Sequence, residues 1–189
     1  MTTELSISPD DGQRLLRLAR ETIVAAVAGA APAEPRPEDL TDGLQKPLGA
    51  FVTLYTLDEL RGCIGRMAYD RPLFRNVIDS AQSSALHDPR FEPLREEEIP
   101  GLRIEVSVLN EPRPILTLDE FDVNQHGIVM EHGFLHGVFL PKVAREYGWD
   151  KPKTLSMLCR KVGLPEDGWL DSEARFKVFD ALEFAEPPR

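Results

Sequence analysis

The sequence predicts an α+β chain. It reads as a single compact unit in which hairpin, helical segment and strand occur twice around a curled, mostly antiparallel sheet. Three observations lead there. Two apolar hairpin patterns, GAFVTLYTLDELRGCIGRM and GIVMEHGFLHGVFLP, are each followed by a stretch of helical period and then by an alternating strand. Each set spans about 60 residues, which reads as a repeat even though the two halves share little identity. The 189 residues, 42% hydrophobic and 29% charged, suffice for one good core.

The elements follow in order. A first helix is expected over residues 8–29: Ser8 caps it, Pro9 suits its first position, and Asp10 and Asp11 lie at its positive end. Leu15, Leu18, Ala19, Ile23, Ala26 and Val27 form its apolar face, and Gly29 stops it. Residues 30–47, with four prolines, read as a stiff surface connection. The first repeat covers about 49–110. Strands Ala50 to Thr56 and Leu60 to Met67 are joined through Leu57-Asp58-Glu59. Asp70 and Pro72 then open a helix faced by Leu73, Val77, Ala81 and Ala85 that ends at Asp88, ahead of Pro89. An irregular stretch, Phe91 to Gly101, leads to a strand over Leu102 to Leu109. The second repeat covers about 127–184. Its hairpin pairs Ile128 to Glu131 with Leu135 to Leu140 around Gly133. A short helix from Pro141 to Tyr147 follows, and then a helix capped by Asp150 and stopped by Gly163. Leu155, Leu158, Cys159 and Val162 are the apolar stripe of that helix, so Cys159 reads as core, and a last strand runs from Arg175 to Phe184.

Charge and cysteine usage narrow the function classes. A net charge of −10 disfavours nucleic-acid and anionic-membrane binding, which both need cationic surfaces. Arginines at 61, 66, 71, 75, 90 and 95 are interleaved with acids and read as a solvated face. No stretch approaches the roughly 18 apolar residues of a membrane span, and no secretory signal is evident. With two distant cysteines, this points to reduced thiols in a cytoplasm.

The segment LRGCIG, residues 60–65, is the candidate site. Glycine weakens a strand, so two in six residues imply a bend or a close approach. Strand alternation puts Arg61 and Cys63 on one face, about 7 Å apart between Cα atoms. A guanidinium at that range favours a thiolate, while Gly62 and Gly65 would let a ligand or a backbone come close. The alternative is that Cys63 is a small buried hydrophobe and the glycines serve helix packing or a bulge. Asp88 is a candidate partner for Arg61 or Arg90, and His87 a candidate base; a Cys63, His87, Asp88 triad would satisfy the logic of an activated nucleophile. His126, His132 and His136 cluster around the second hairpin, without the further ligands that complete a metal site. Dinucleotide, phosphate-loop and nucleophile-elbow motifs are absent, and Tyr69 stands where a phosphatase-type loop needs arginine.

GAFVTL followed by LRGCIG resembles the AMMECR-type domain, whose prokaryotic members are called AmmeMemoRadiSam system protein A. HDPRFEPL, IEVSVLNEP, HGIVME, GVFLPKVAREYGWD and LCRKVGLP extend the resemblance over about residues 15–184. Ser83 and Ser84, Lys142 and Thr154 depart from residues common in relatives, outside the LRGCIG segment and the Asp88–Arg90 cluster. The resemblance implies a mixed α+β fold with two β-rich repeats around a barrel-like sheet. It also implies association with Memo-type proteins and radical S-adenosylmethionine enzymes, but no settled reaction, and it leaves the cofactor unknown. Two functions are consistent with this. One is a binding or accessory component of a modification or redox pathway, using Arg61, Gly62, Gly65, Asp88 and Arg90. The other is an enzyme with Cys63 as thiolate nucleophile or redox residue and Arg61 as its anion partner.

Overall fold

The computed structural model describes residues 5–32 and 34–187. Helix α1 (Pro9–Val27) begins as expected, with Ser8 Oγ accepting from the Asp11 N–H at 3.1 Å. The proline-rich connection is more ordered than its composition suggests. It holds a 3-10 turn (Pro37–Asp39) and a short helix α2 (Asp42–Gln45), whose cap is the Thr41 hydroxyl accepting from Leu44 N–H.

Strands β1 (Gly49–Thr56) and β2 (Glu59–Arg66) form the first hairpin. Its turn is only two residues, Leu57 and Asp58, both with positive φ, the conformation that matches the twist of paired strands. Helix α3 (Leu73–Leu86) ends two residues before the expected Asp88, and the stretch read as irregular contains a 3-10 turn over Glu96–Gly101. Strand β3 (Leu102–Leu109) follows. A two-residue strand β4 (Arg113–Pro114) is too short to show periodicity in sequence. The second hairpin is β5 (Gly127–His132) and β6 (Leu135–Phe139), followed by α4 (Pro141–Tyr147) and α5 (Lys151–Lys161).

The predicted last strand is two strands, β7 (Arg175–Phe179) and β8 (Ala181–Ala185), interrupted at Asp180. Asp180 is held elsewhere. Its N–H donates to Asn110 Oδ1 at 2.8 Å, and Asn110 Nδ2 donates to its carboxylate at 2.9 Å. The alternation of Phe176 and Val178 with Leu182 concealed this break, because a change of sheet leaves the period intact.

The class is α+β, with antiparallel pairing between β1 and β2, β1 and β3, β5 and β6, β5 and β7, and β4 and β7. The strands divide between two four-stranded sheets, ordered β2-β1-β3-β8 and β6-β5-β7-β4. The repeats read from sequence thus share one plan: a hairpin, then helix, then a strand that pairs with the first strand of the hairpin. The fourth strand of each sheet comes from the chain just after the other repeat's third strand. Residues 110–181 form one compact unit, and the described residues on either side of them form the other.

In the unit that holds the first hairpin, α1 and α3 cover one face of the sheet. Leu15, Ala19, Ile23, Val77 and Ala81 meet Val52, Leu54, Ile104 and Val106, all buried. Helix α3 also carries a polar stripe at four-residue spacing. Asn76, Ser80 and Ser84 donate to the carbonyls of Leu48, Ala50 and Val52 at 2.8, 3.2 and 2.8 Å. Helical and strand periods match here, four residues of one against two of the other, and the helix is bonded as well as packed to β1. The unit with the second hairpin has a smaller core in which Ile128, Met130 and Val178 meet Leu155, Leu158 and Cys159. Cys159 is sealed there, as its helical position predicts, and burial pushes its thiol up.

Candidate functional site

The strand alternation assumed for LRGCIG is broken by a bulge. Leu54 pairs with Gly62 and Tyr55 with Leu60, which leaves Arg61 without a cross-strand partner. Arg61 does not stand as a free cation beside the thiol. Its Nε and Nη2 donate to the two carboxylate oxygens of Glu98 at 2.7 and 3.1 Å, and that guanidinium holds Glu98 below the usual carboxylate range. Glu98 also accepts the Arg95 N–H, so the turn after α3 is tied to β2 through this pair.

Beyond the bulge the alternation resumes. Gly62 faces α3, where a Cβ would stand 2.4 Å from the backbone oxygen of Ser84. Ser84 Oγ accepts from Ile64 N–H at 2.8 Å, so the missing side chain at Gly62 is what brings α3 onto the hairpin. At Gly65 the close neighbour is the ring of Phe51, its cross-strand partner. The close approach implied by both glycines is made from within the chain.

Cys63 lies on the face turned away from α3 and is half-buried. Its sulfur accepts the Thr53 hydroxyl at 3.3 Å. Thr53 is paired in turn with Glu105, so Cys63, Thr53 and Glu105 form one row across three strands. Thr53 and the neighbouring Ser107 are almost fully buried on this face.

Asp88 is joined to the site through the backbone of Cys63. Just past the end of α3 and 4% exposed, it accepts the Cys63 N–H at 2.8 Å on Oδ2. Arg90 grips the same carboxylate, Nε to Oδ1 at 2.9 Å and Nη2 to Oδ2 at 2.6 Å, and Nη2 also donates to the Cys63 carbonyl at 3.1 Å. The Arg90 guanidinium is the main reason why the Asp88 carboxyl is held down to about 2; the Cys63 and Arg90 N–H groups add to it, against the cost of burial. Both outward-facing backbone groups of Cys63 are thus closed by an Asp–Arg pair. Phe91 lies beneath two guanidinium groups, Arg90 at 5.4 Å and Arg61 at 5.9 Å from its ring centre. His87 is exposed at the end of α3.

The structure therefore brings Asp88 and Arg90 to Cys63, and places Arg61 with Glu98 and Phe91 beside them. Sequence reasoning missed Thr53, Ser84 and Glu98. Thr53 was legible as the polar member of the Phe51, Thr53, Tyr55 set that alternates with apolar Val52 and Leu54. Nothing in the charged run containing Glu98 singled it out from Glu96 and Glu97.

The histidines of the second hairpin have separate partners. His126 Nδ1 accepts from the Asp122 N–H, as a turn residue does, and His132 Nε2 lies 3.2 Å from Asp171. His136 is exposed on β6. Among the described residues no group of three or more His, Cys, Asp or Glu side chains is arranged to hold a metal ion. Among them, too, no helix is long and apolar enough to cross a membrane.

The AMMECR1 family model matches residues 16–184. A protein of Methanothermobacter thermautotrophicus is 38% identical over 186 residues, covering 95% of this chain and 96% of its own. A Methanopyrus kandleri protein is 39% identical over 186 residues, with 94% and 89% covered. The crystal structure of uncharacterized protein PH0010 from Pyrococcus horikoshii superposes with a TM-score of 0.91 at 36% identity, over 96% of this chain and 94% of that one. A match of this length, with the same fold, makes the chain a member of the AMMECR1 family.

Proposed function

We propose that this protein is a binding or accessory component of a modification or redox pathway, with the surface around Arg61, Arg90 and Phe91 as its contact. The observation that carries the reading is how the polar groups nearest Cys63 are used. Asp88 and Arg90 are spent on the backbone of Cys63 and on each other, and Arg61 is spent on Glu98. Such an arrangement stiffens a strand edge and presents it in one conformation, which lowers the ordering cost of binding. Gly62 and Gly65 contribute by letting α3 and Phe51 pack against that strand. The family resemblance adds the partners, a Memo-type protein and a radical S-adenosylmethionine enzyme, and the two free thiols fit a cytoplasmic setting. Co-purification with those two proteins from the same genome tests this. Binding is expected to persist in Cys63→Ser and to fall in Arg61→Ala; equal binding by both variants refutes the role given to Arg61.

A second reading, thiol chemistry at Cys63 with Arg61 as anion partner, draws on the Thr53 hydroxyl bonded to the sulfur of a half-buried residue. Iodoacetamide labelling of the native protein across pH separates the two. Labelling of Cys63 only after denaturation removes the second reading.

A further inference from the structure

The outer strand of the second sheet is built differently from the outer strand of the first. β6 is the last strand in its sheet, and the two-residue turn Gly133-Phe134 closes its hairpin at His132 and Leu135. In a hairpin of this kind the closing pair and every second pair after it exchange backbone bonds. Those pairs are His132 with Leu135, Met130 with Gly137, and Ile128 with Phe139. His136 and Val138 therefore direct N–H and C=O outward. An independent contact agrees: Lys161 Nζ donates to the Val138 carbonyl at 2.8 Å. Among the described residues, nothing takes the Val138 N–H or either outward group of His136.

This open edge is flanked by apolar groups at both ends. Phe134, at the turn, is fully exposed and Leu135 is 41% exposed. At the other end Phe139 packs against Trp149 at 5.9 Å. Trp149 in turn stacks under Tyr147 at 4.8 Å and 17°, and Tyr147 is 67% exposed. Unpaired edges with exposed apolar neighbours invite strand addition, and native chains block them unless they are used. At Cys63 of the first sheet both outward groups are taken, whereas at the equivalent Val138 of the second only the carbonyl is.

We propose that β6 is a docking edge for an extended segment of a partner protein, apolar where it pairs and acidic beside Val138. The backbone spacing of His136 and Val138 specifies a strand, and the exposed rings at each end supply apolar surface for its side chains. Lys161 at the Val138 carbonyl supplies the cation that an acidic residue would meet. Residues 141–161 carry six Lys and Arg against Glu146 and Asp150, with Lys142 buried and Arg160 paired with Glu166, in a chain whose net charge is −10. A second copy of the chain is the poorer occupant. Antiparallel pairing of β6 with itself sets both α5 helices, each ending in Arg160-Lys161, on one side of a joined sheet. This surface is separate from the one around Arg61 and Arg90.

The test uses a displayed library of random decapeptides selected on the full chain. The enriched peptides are then synthesised and titrated by fluorescence anisotropy. They are expected to alternate apolar residues and to include Asp or Glu. Binding should weaken about tenfold or more in Val138→Pro, which removes an outward N–H that β5 does not use. A similar loss is expected in Phe134→Asp, whose side chain is wholly in solvent and cannot affect folding through packing. Peptide should slow amide exchange at His136 and Val138, and Cys63→Ser and Arg61→Ala should bind it like the parent. Failure to enrich any peptide overturns the proposal, as does equal binding by both edge variants or unslowed exchange at those amides. A dimer in sedimentation that Val138→Pro dissolves also overturns it, because the occupant is then a second copy. None of these outcomes bears on co-purification through Arg61, so the two proposals fail separately.

Discussion

The two hairpins, β1–β2 and β5–β6, share a plan down to one glycine. Gly62 of β2 lets α3 reach its sheet, and Gly137 of β6 does the same for α5, where a Cβ would meet Val162 at 2.5 Å and Leu158 at 3.2 Å. Both hairpins turn in two residues, and in both the inner strand pairs with the strand that follows the helix. Their outer edges differ. Cys63 and Val138 occupy equivalent positions, each with backbone groups directed outward. At Cys63 both groups are taken by the buried Asp88 and by Arg90, whereas at Val138 only the carbonyl is taken, by a surface lysine. Duplication supplies the scaffold, and what lies after the helix decides whether this position of the outer strand is closed. In the first repeat that is the Asp88-Pro89-Arg90 corner.

The strongest challenge to this contrast is Asp88→Ala. It leaves the Cys63 N–H and the Arg90 guanidinium without their carboxylate and is expected to cost about 3 kcal/mol by urea denaturation. Lys161→Ala, the corresponding change on the second edge, should stay within about 0.5 kcal/mol. Equal losses would mean that the edges are not differently closed.

The two glycines of the outer strands differ in what faces them. Gly62→Ala drives a methyl against the backbone of α3, which cannot rotate away, and should cost about 2–3 kcal/mol. Gly137→Ala meets side chains that can repack, and about 1 kcal/mol is expected. Thermal melts of the two variants side by side decide whether the helices are seated with equal rigidity.

Acid should act on the first hairpin through the same carboxylate. The native Asp88 carboxyl titrates at about 2 against an ordinary value of 3.8. Its pKa is depressed, so its contribution is present above about pH 4 and fades as pH falls through 2. The stability difference between the parent and Asp88→Asn should therefore shrink by about 2 kcal/mol between pH 5 and pH 2. A difference that stays constant over that range would remove Asp88 as the titrating clamp. The smallest effect is expected for Ser84→Ala. It removes one hydroxyl from between Ile64 N–H and the Val52 carbonyl, costs about 1 kcal/mol, and should speed amide exchange at Ile64.

Most of the helices and both hairpins were legible because each carries a local signal. Ser8 and Asp150 cap helices, prolines open them, and apolar residues recur at periods of 3.6 or 2. Helix α2 was missed because four residues hold too little period, and β4 for the same reason. The site was half legible. LRGCIG marked the strand, and HDPRF marked the corner that closes it. The pairing of Arg61 was misjudged because a bulge moves it out of the alternation that placed it beside Cys63. No local propensity announces such a bulge; it comes from the register that β1 and β2 adopt under α3.

The α+β class, the duplicated order of elements, the core position of Cys159 and the family are all legible in the chain's residues, since they depend on near-neighbour spacing and on motif identity. The division of the strands between two sheets and the break of the last strand at Asp180 emerge from the fold alone. So does the joining of Asp88 to Cys63 through the backbone. Each of these depends on which distant groups satisfy a particular N–H or carbonyl. That is settled by the whole set of partners a folded chain offers, not by any residue's own preference.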